Sequence, residues 1–179
     1  MKSKKIAFLD RDGVINSSKY NNGYIGNIKQ FKWVNGAIKT IKFLKKKKYK
    51  IVVVTNQSGV ARGFFKIRDV HKIHLFIQKK LKKNFVKIDA FYFCPFHKKG
   101  IIKKYKKNSP LRKPNIGMFR LAQKKWNIDK NNSFMIGDQK TDMEFAKRAR
   151  IKGYLFNQKN LYKFIKECIF KKGYNKILK

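Results

Sequence analysis

The apolar residues fall into short runs that alternate with stretches of helical period. Ile6 to Leu9 is continuously apolar, so Lys4–Leu9 reads as a buried strand. Ala37, Ile38, Ile41 and Leu44 recur at the 3.6-residue period and predict a helix over Gly36–Lys47, with Asn35 placed to cap it. Lys50–Val54 is β-branched and strand-like. Over Ile67–Leu81 the positions Val70, Ile73, His74 and Ile77 share one side of a second helix. Ile88–Phe93 reads as a third strand, Ile116–Trp126 as a helix and Phe134–Ile136 as a short strand. Asp142–Arg150 then reads as a helix and Gly153–Phe156 as a last strand. Between Cys94 and Pro114 there is no period, and Gly100 and Pro110 interrupt the run. A loop of that length in a compact domain is usually functional or disordered. Leu161–Lys179 reads as a basic amphipathic helix or a tail.

Strands alternating with helices build βαβ units and a parallel sheet. The expected fold is therefore α/β: a three-layer, Rossmann-like sheet with helices on both faces and no large cap domain. One domain is expected over residues 1–157, with loop 94–114 as its lid or specificity loop; residues 158–179 follow as the basic helix or tail. A chain of 179 residues suits one such domain and needs no disulfide or metal to fold. In a sheet of this kind ligands bind at the carboxyl ends of the strands.

Composition narrows the class. With 42% hydrophobic and 15% aromatic residues the chain is not a disordered one. Its longest aliphatic run, Ile51 to Val54, cannot span a membrane. The apolar stretch after Lys2, Lys4 and Lys5 is too short for the core of a signal peptide. Cys94 and Cys168 suggest no disulfide framework, so a reducing cytoplasm is the expected home. Lys and Arg number 47 against 9 Asp and Glu, a formal +38, which attracts phosphates and nucleic acids. The excess is 40 Lys to 7 Arg, alongside 15 Asn and 20 Ile. Base readout leans on Arg, so this pattern fits codon drift and a solvated surface better than a dedicated nucleic-acid face. Either way, anionic substrates are favoured.

Four motifs carry candidate chemistry. Asp10-Arg11-Asp12-Gly13 follows the first strand; in extended chain residues i and i+2 face one side, so both carboxylates would point together. Such a pair suits a hard divalent cation and a nucleophilic oxygen, although a lone Asp-x-Asp is more often a polar turn. Thr55-Asn56-Gln57-Ser58-Gly59 ends the second strand with groups able to donate to phosphate oxygens, or forms an ordinary β-turn. Arg112-Lys113-Pro114 closes the long loop; Lys113 could neutralise a transferring phosphoryl group, or be one more solvated charge. Gly137-Asp138 ends the fourth strand, with Asp142 four residues on, where a helix start also favours an acid. Four of the nine acids fall in the two carboxylate motifs, a clustering hard to credit to chance.

These residues resemble the haloacid dehalogenase superfamily of phosphohydrolases: Asp10-x-Asp12-Gly, then Thr55, Lys113, and Gly137-Asp138-x-x-x-Asp142. The stretches 8–16 and 55–63, Arg112-Lys113-Pro114 and Gly117-Met118 resemble the branch of heptose bisphosphate and histidinol-phosphate phosphatases. The likeness runs over about residues 4–156. It implies Asp10 as the nucleophile that becomes an aspartyl phosphate, and Asp12 as general acid and then base. It implies Mg²⁺ held by the Asp10 carboxylate, the Asp12 carbonyl and the Asp138 carboxylate, with Asp142 supporting from behind. Thr55 and Asn56 would hold phosphoryl oxygens, beside Lys113. Asn21, Asn22, Gly23, Tyr24, Gln57, Ser58 and Arg112 would line the rest of the substrate pocket. The branch often carries a structural zinc in the long loop. Here only Cys94 of that ligand set survives: the other positions read Phe96, Ser109 and Leu111, and His97 alone cannot rebuild it, so no zinc is expected. His71 and His74 are expected to be packing or surface residues. The resemblance implies a Mg²⁺-dependent phosphatase of a small phosphorylated sugar, most of all a heptose bisphosphate feeding cell-surface polysaccharide, and a monomer is expected. Histidinol phosphate is the first alternative substrate. Polynucleotide 3′-phosphate hydrolysis, or a non-enzymatic nucleic-acid-binding role, is the other.

Overall fold

The computed structural model describes residues 2–18 and 23–170. Five strands form one parallel sheet: β1 (Ile6–Leu9), β2 (Lys50–Asn56), β3 (Ala90–Cys94), β4 (Phe134–Gly137) and β5 (Lys152–Leu155), in the order β3-β2-β1-β4-β5. Both faces of the central strands are covered, which is why β1 and most of β2 read as unbroken apolar runs. Ile6, Phe8, Val52, Val54 and Met135 pack under α3 (Gly117–Lys125) and α4 (Lys140–Ala149). Ala7, Leu9, Ile51, Val53 and Ile136 face the other way, onto α1 (Ala37–Lys46), α2 (Ile67–Lys82) and α5 (Leu161–Cys168). The three-layer α/β architecture stands as the sequence implied, and among the described residues no cap domain interrupts it.

The chain runs from β1 outward to β2 and β3, then crosses back to β4 on the other side of β1. The carboxyl ends of β1 and β4 therefore diverge into a crevice at the topological switch point. Asp10 leaves β1 and Asp138 leaves β4 at that crevice, and the Asp10 N–H donates to the Ile136 carbonyl at 2.9 Å.

Local details depart from the sequence pattern. Asn35 does not cap α1. Gly36 holds that position with φ of 80°, and the Asn35 carbonyl instead accepts from the Leu161 N–H. The third strand starts two residues late because both backbone polar groups of Ile88 are bound by the Gln78 side chain. Helix α4 starts at Lys140, which makes Asp142 its third residue and the partner of the Gln139 N–H. Leu161, Phe164 and Ile165 of α5 are buried in the α1 core, so a boundary at 157/158 does not separate this helix from the domain. Residues 171–179, the rest of the expected C-terminal helix or tail, lie outside the described residues. Among the described residues no helix is long and apolar enough to cross a membrane.

Candidate active site

Carboxylate oxygens of Asp10, Asp138 and Asp142 lie within 4.8 Å of one another. Lys113, 2% exposed, reaches into the cluster with its Nζ 3.0 Å from Asp10 and 2.6 Å from Asp142. Three carboxylates face one ammonium, and the buried Asp138 Oδ1 has no hydrogen-bond partner. An all-oxygen, anionic donor set with an orphaned carboxylate oxygen fits a hard divalent cation. Gly13 makes room for it: a Cβ there would collide with the Asp138 carboxylate, and its φ of 90° is one that a side chain resists.

The electrostatics follow from the same packing. Burial pushes the Asp10 carboxyl up to about 7, and Asp142, Asp138 and Asp12 add to this against the pull of Lys113. Burial also raises the Asp138 carboxyl, with Asp142 adding to it. Burial alone would lower Lys113, but Asp10 and Asp142 outweigh it and hold the ammonium firmly charged. A divalent ion in the cluster would favour the ionised carboxylates and reverse the rise at Asp10 and Asp138.

Asp12 stands beside the acidic cluster, close enough to raise Asp10. Its carboxylate does not join the acidic cluster but is bound by Arg11, Asn16 and Gln57. β1 ends at Leu9, and residues 11–14 turn on the bond from the Ile15 N–H to the Arg11 carbonyl. The two-residue period of a strand therefore does not extend to Asp12. Asn56 also differs from expectation: its amide is spent on the Lys113 backbone, accepting from the N–H at 3.0 Å and donating to the carbonyl at 3.1 Å. It ties the long loop to β2 and sets where Lys113 stands. Gln57, 2% exposed, faces inward to Asp12, Thr55 and Arg11. Thr55 is buried at the end of β2 beside the cluster's strand.

Ser58, Tyr24 and Gly23 are part-exposed, and Tyr24 sets its ring edge-on to Phe64 at 4.7 Å. Asn21 and Asn22 lie outside the described residues. Arg112 is half-buried near Tyr24, Cys94 and Arg62, and burial lowers its guanidinium. Arg112 Nη1 and Arg62 Nε are both buried without partners. Arg62 has no role that its place in the sequence alone suggests; two arginines with spare N–H groups at one place are the signal that only the fold displays. In the long loop Cys94 is a buried free thiol whose Sγ lies 3.7 Å from the Phe96 carbonyl, and burial pushes its pKa up. Phe96 and Tyr105 pair at 6.0 Å and the buried Ser109 accepts from the Leu111 N–H, so protein contacts organise this loop. His74 is buried and stacked on Phe91 at 4.4 Å, while His71 is exposed.

A parallel sheet with acids and a lysine converging at its switch point defines a phosphatase of the haloacid dehalogenase fold. The chain belongs to the family described as polynucleotide kinase 3 phosphatase, which matches residues 5–160. It is 39% identical to a D-glycero-beta-D-manno-heptose-1,7-bisphosphate 7-phosphatase of Rhodopseudomonas palustris, over 91% of this chain and 89% of that one. It is 41% identical to the enzyme of the same name from Pasteurella multocida, over 83% of this chain and 79% of that one. Among solved structures it resembles the D,D-heptose 1,7-bisphosphate phosphatase of B. bronchiseptica complexed with magnesium and phosphate. That match has a TM-score of 0.76 and 26% identity, covering 89% of this chain and 83% of the other.

Proposed function

We propose that this enzyme hydrolyses the 7-phosphate of D-glycero-beta-D-manno-heptose 1,7-bisphosphate, with Mg²⁺ bound by Asp10, Asp138 and the Asp12 carbonyl. The carrying observation is Lys113 gripped between Asp10 and Asp142 beside an orphaned Asp138 oxygen. That arrangement accepts a phosphate dianion and a cation together. Mg²⁺, when bound, offsets charge between the carboxylates and the phosphate. Asp10 Oδ attacks phosphorus in line, and the P–O bond to the sugar breaks as Asp12 gives its proton to the leaving oxygen. Water then attacks the aspartyl phosphate while Asp12 takes its proton, and Asp10 is released. Lys113 holds the nucleophile and the phosphoryl oxygens, Thr55 lies beside them, and Asn56 fixes Lys113 in place. Asp142 supports the metal site from α4.

The spare N–H groups of Arg62 and Arg112 beside Tyr24 and Ser58 suit a second phosphate. This favours a bisphosphate over histidinol phosphate, which has only one. A polynucleotide 3′-phosphate remains the second reading, supported by the matched family's description and the +38 charge. We place the enzyme in the cytoplasm as a monomer; both cysteines are free thiols, as a reducing compartment allows. Phosphate release is to be compared over the heptose bisphosphate, histidinol phosphate, fructose 1,6-bisphosphate and a 3′-phosphorylated oligonucleotide. Highest kcat/KM on the heptose ester is expected, and a preference for either of the alternatives would displace this assignment. Asp10→Asn is expected to abolish turnover with the fold intact, and EDTA to stop it until Mg²⁺ is restored. Retained turnover in the variant would remove Asp10 as nucleophile.

A further inference from the structure

Three side chains converge on the Asp12 carboxylate. Arg11 reaches Oδ1 from Nε at 3.1 Å and Nη2 at 3.0 Å, and reaches Oδ2 from Nη2 at 2.9 Å. Asn16 Nδ2 donates to Oδ1 at 2.9 Å and Gln57 Nε2 to Oδ2 at 2.7 Å. Arg11 is itself fully buried, an expensive place for a cation unless its partners are fixed. Its Nη2 is tied further to Gln57 Oε1 at 3.0 Å and to the Ile25 carbonyl at 3.2 Å. Its backbone N–H meanwhile donates to Asp10 Oδ1 at 2.7 Å. Gln57 extends the chain of contacts to Thr55 Oγ1 at 2.9 Å. One buried residue thus grips both aspartates, one with its backbone and one with its guanidinium.

We propose that Arg11 and Gln57 are positioning residues for the proton-transfer step, acting on substrate only through Asp12. This rests on the reading of Asp12 as general acid and base. The planar, permanently charged fork of arginine can hold both carboxylate oxygens from one direction; a lysine ammonium in its place cannot. The Gln57 amide closes the other edge by giving its N–H to Asp12 and its carbonyl to Arg11. Asp12 therefore has one orientation beside Asp10 rather than several. In the first turnover, before water attacks the aspartyl phosphate, a misplaced acid costs rate only where the leaving oxygen needs a proton as its bond to phosphorus breaks. A residue that merely braces the loop would slow every substrate alike.

The test uses Gln57→Met and Arg11→Lys in the full chain with Mg²⁺. First-turnover bursts are compared on 4-nitrophenyl phosphate, whose leaving group departs unprotonated, and on the alkyl phosphate that the wild type hydrolyses fastest. The alkyl ester is expected to lose about 10–100-fold in burst rate, the nitrophenyl ester less than about threefold, with the half-saturation of the burst by substrate and by Mg²⁺ unmoved. Gln57→Met keeps the buried Arg11–Asp12 pair and guards against a folding defect in Arg11→Lys. Equal losses on both esters in Gln57→Met would overturn the proposal. Asp12→Asn run in parallel separates the two readings. If its own deficit does not depend on the leaving group, the acid–base reading fails. If it does while Gln57→Met and Arg11→Lys do not, only the positioning role fails.

Discussion

Gly13 is where a single missing side chain admits the metal site. Gly13→Ala would force a strained φ costing about 1–3 kcal/mol and push aside the Asp138 carboxylate. A fall in melting temperature is expected together with a more than about tenfold rise in the Mg²⁺ needed for half-maximal activity; unchanged Mg²⁺ demand would separate Gly13 from the site. Asn56 gives a sharper contrast. If its amide serves Lys113, as its two bonds to that backbone indicate, Asn56→Leu should lower kcat about 10–100-fold through a displaced ammonium and leave KM nearly constant. A raised KM with intact kcat would return Asn56 to the phosphate. At this scale the sequence was legible where a residue type is rare. With nine acids in the chain, the grouping of Asp10, Asp138 and Asp142 could be read directly. Lys113 was invisible among 40 lysines except through resemblance, and Arg62 was missed. Lys113 is distinguished by burial between two carboxylates and Arg62 by a buried Nε without a partner, and neither has a signature in one dimension.

At the scale of elements, patterning was informative wherever one sheet face or helix stripe had to be buried. Val70, Ile73, His74 and Ile77 do line the inner face of α2, and the strands of the central sheet were found within a residue or two. Ends were less legible, because competing polar partners set them: Gln78 holds Ile88 out of β3, and Gly36 replaces Asn35 at α1. The strand period likewise stops at Leu9, so Asp12 is placed by a turn and by Arg11, Asn16 and Gln57. His74 shows that an apolar stripe can carry a titratable group with consequences. Burial, then Arg11 and His71, lower its pKa from 6.5 to about 3. The unfolded chain therefore binds a proton below pH 6.5 that the folded one refuses. The stability supplied by the neutral ring is complete above pH 6.5 and is lost as pH falls toward about 3. The slope is expected to be about 1 kcal/mol per pH unit. Asp10, raised to about 7, works in the opposite direction over part of that window, so the informative quantity is wild type minus His74→Leu. Denaturant unfolding in Mg²⁺-free buffer at pH 5 and pH 7 should show the variant losing less stability on acidification. Parallel curves would mean that His74 is solvated.

Across the whole molecule the charge is distributed so that the fold tolerates it and the site uses it. Of the Lys and Arg side chains among the described residues, only Arg11 and Lys113 are buried, and both serve the carboxylates at the switch point. Apart from the half-buried Arg62 and Arg112, most of the other described cations sit at the surface with few acids to meet: Lys45 and Lys50 share Asp89, and Arg148 has Glu144. Burial works to raise Asp89, but Lys45, the Ile51 N–H and Lys50 together hold its carboxyl below the ordinary range. That pairing is the exception in a field of like charge. Two effects of salt follow, with opposite signs. Screening at about 0.1 M shortens the reach of exposed charges to about 10 Å, which relieves self-repulsion, so the melting temperature should rise with NaCl. The same screening weakens the attraction of a phosphate dianion to the crevice, so kcat/KM should fall, by about tenfold between about 0.02 and 0.3 M salt, mostly through KM. The Lys113 pairs are buried and should hold, leaving kcat nearly level. A sulfate-free salt series that reads both quantities on one preparation decides the matter. A melting temperature that falls with salt would mean that surface ion pairs outweigh repulsion, and a flat kcat/KM would mean that the positive surface contributes nothing to capturing substrate.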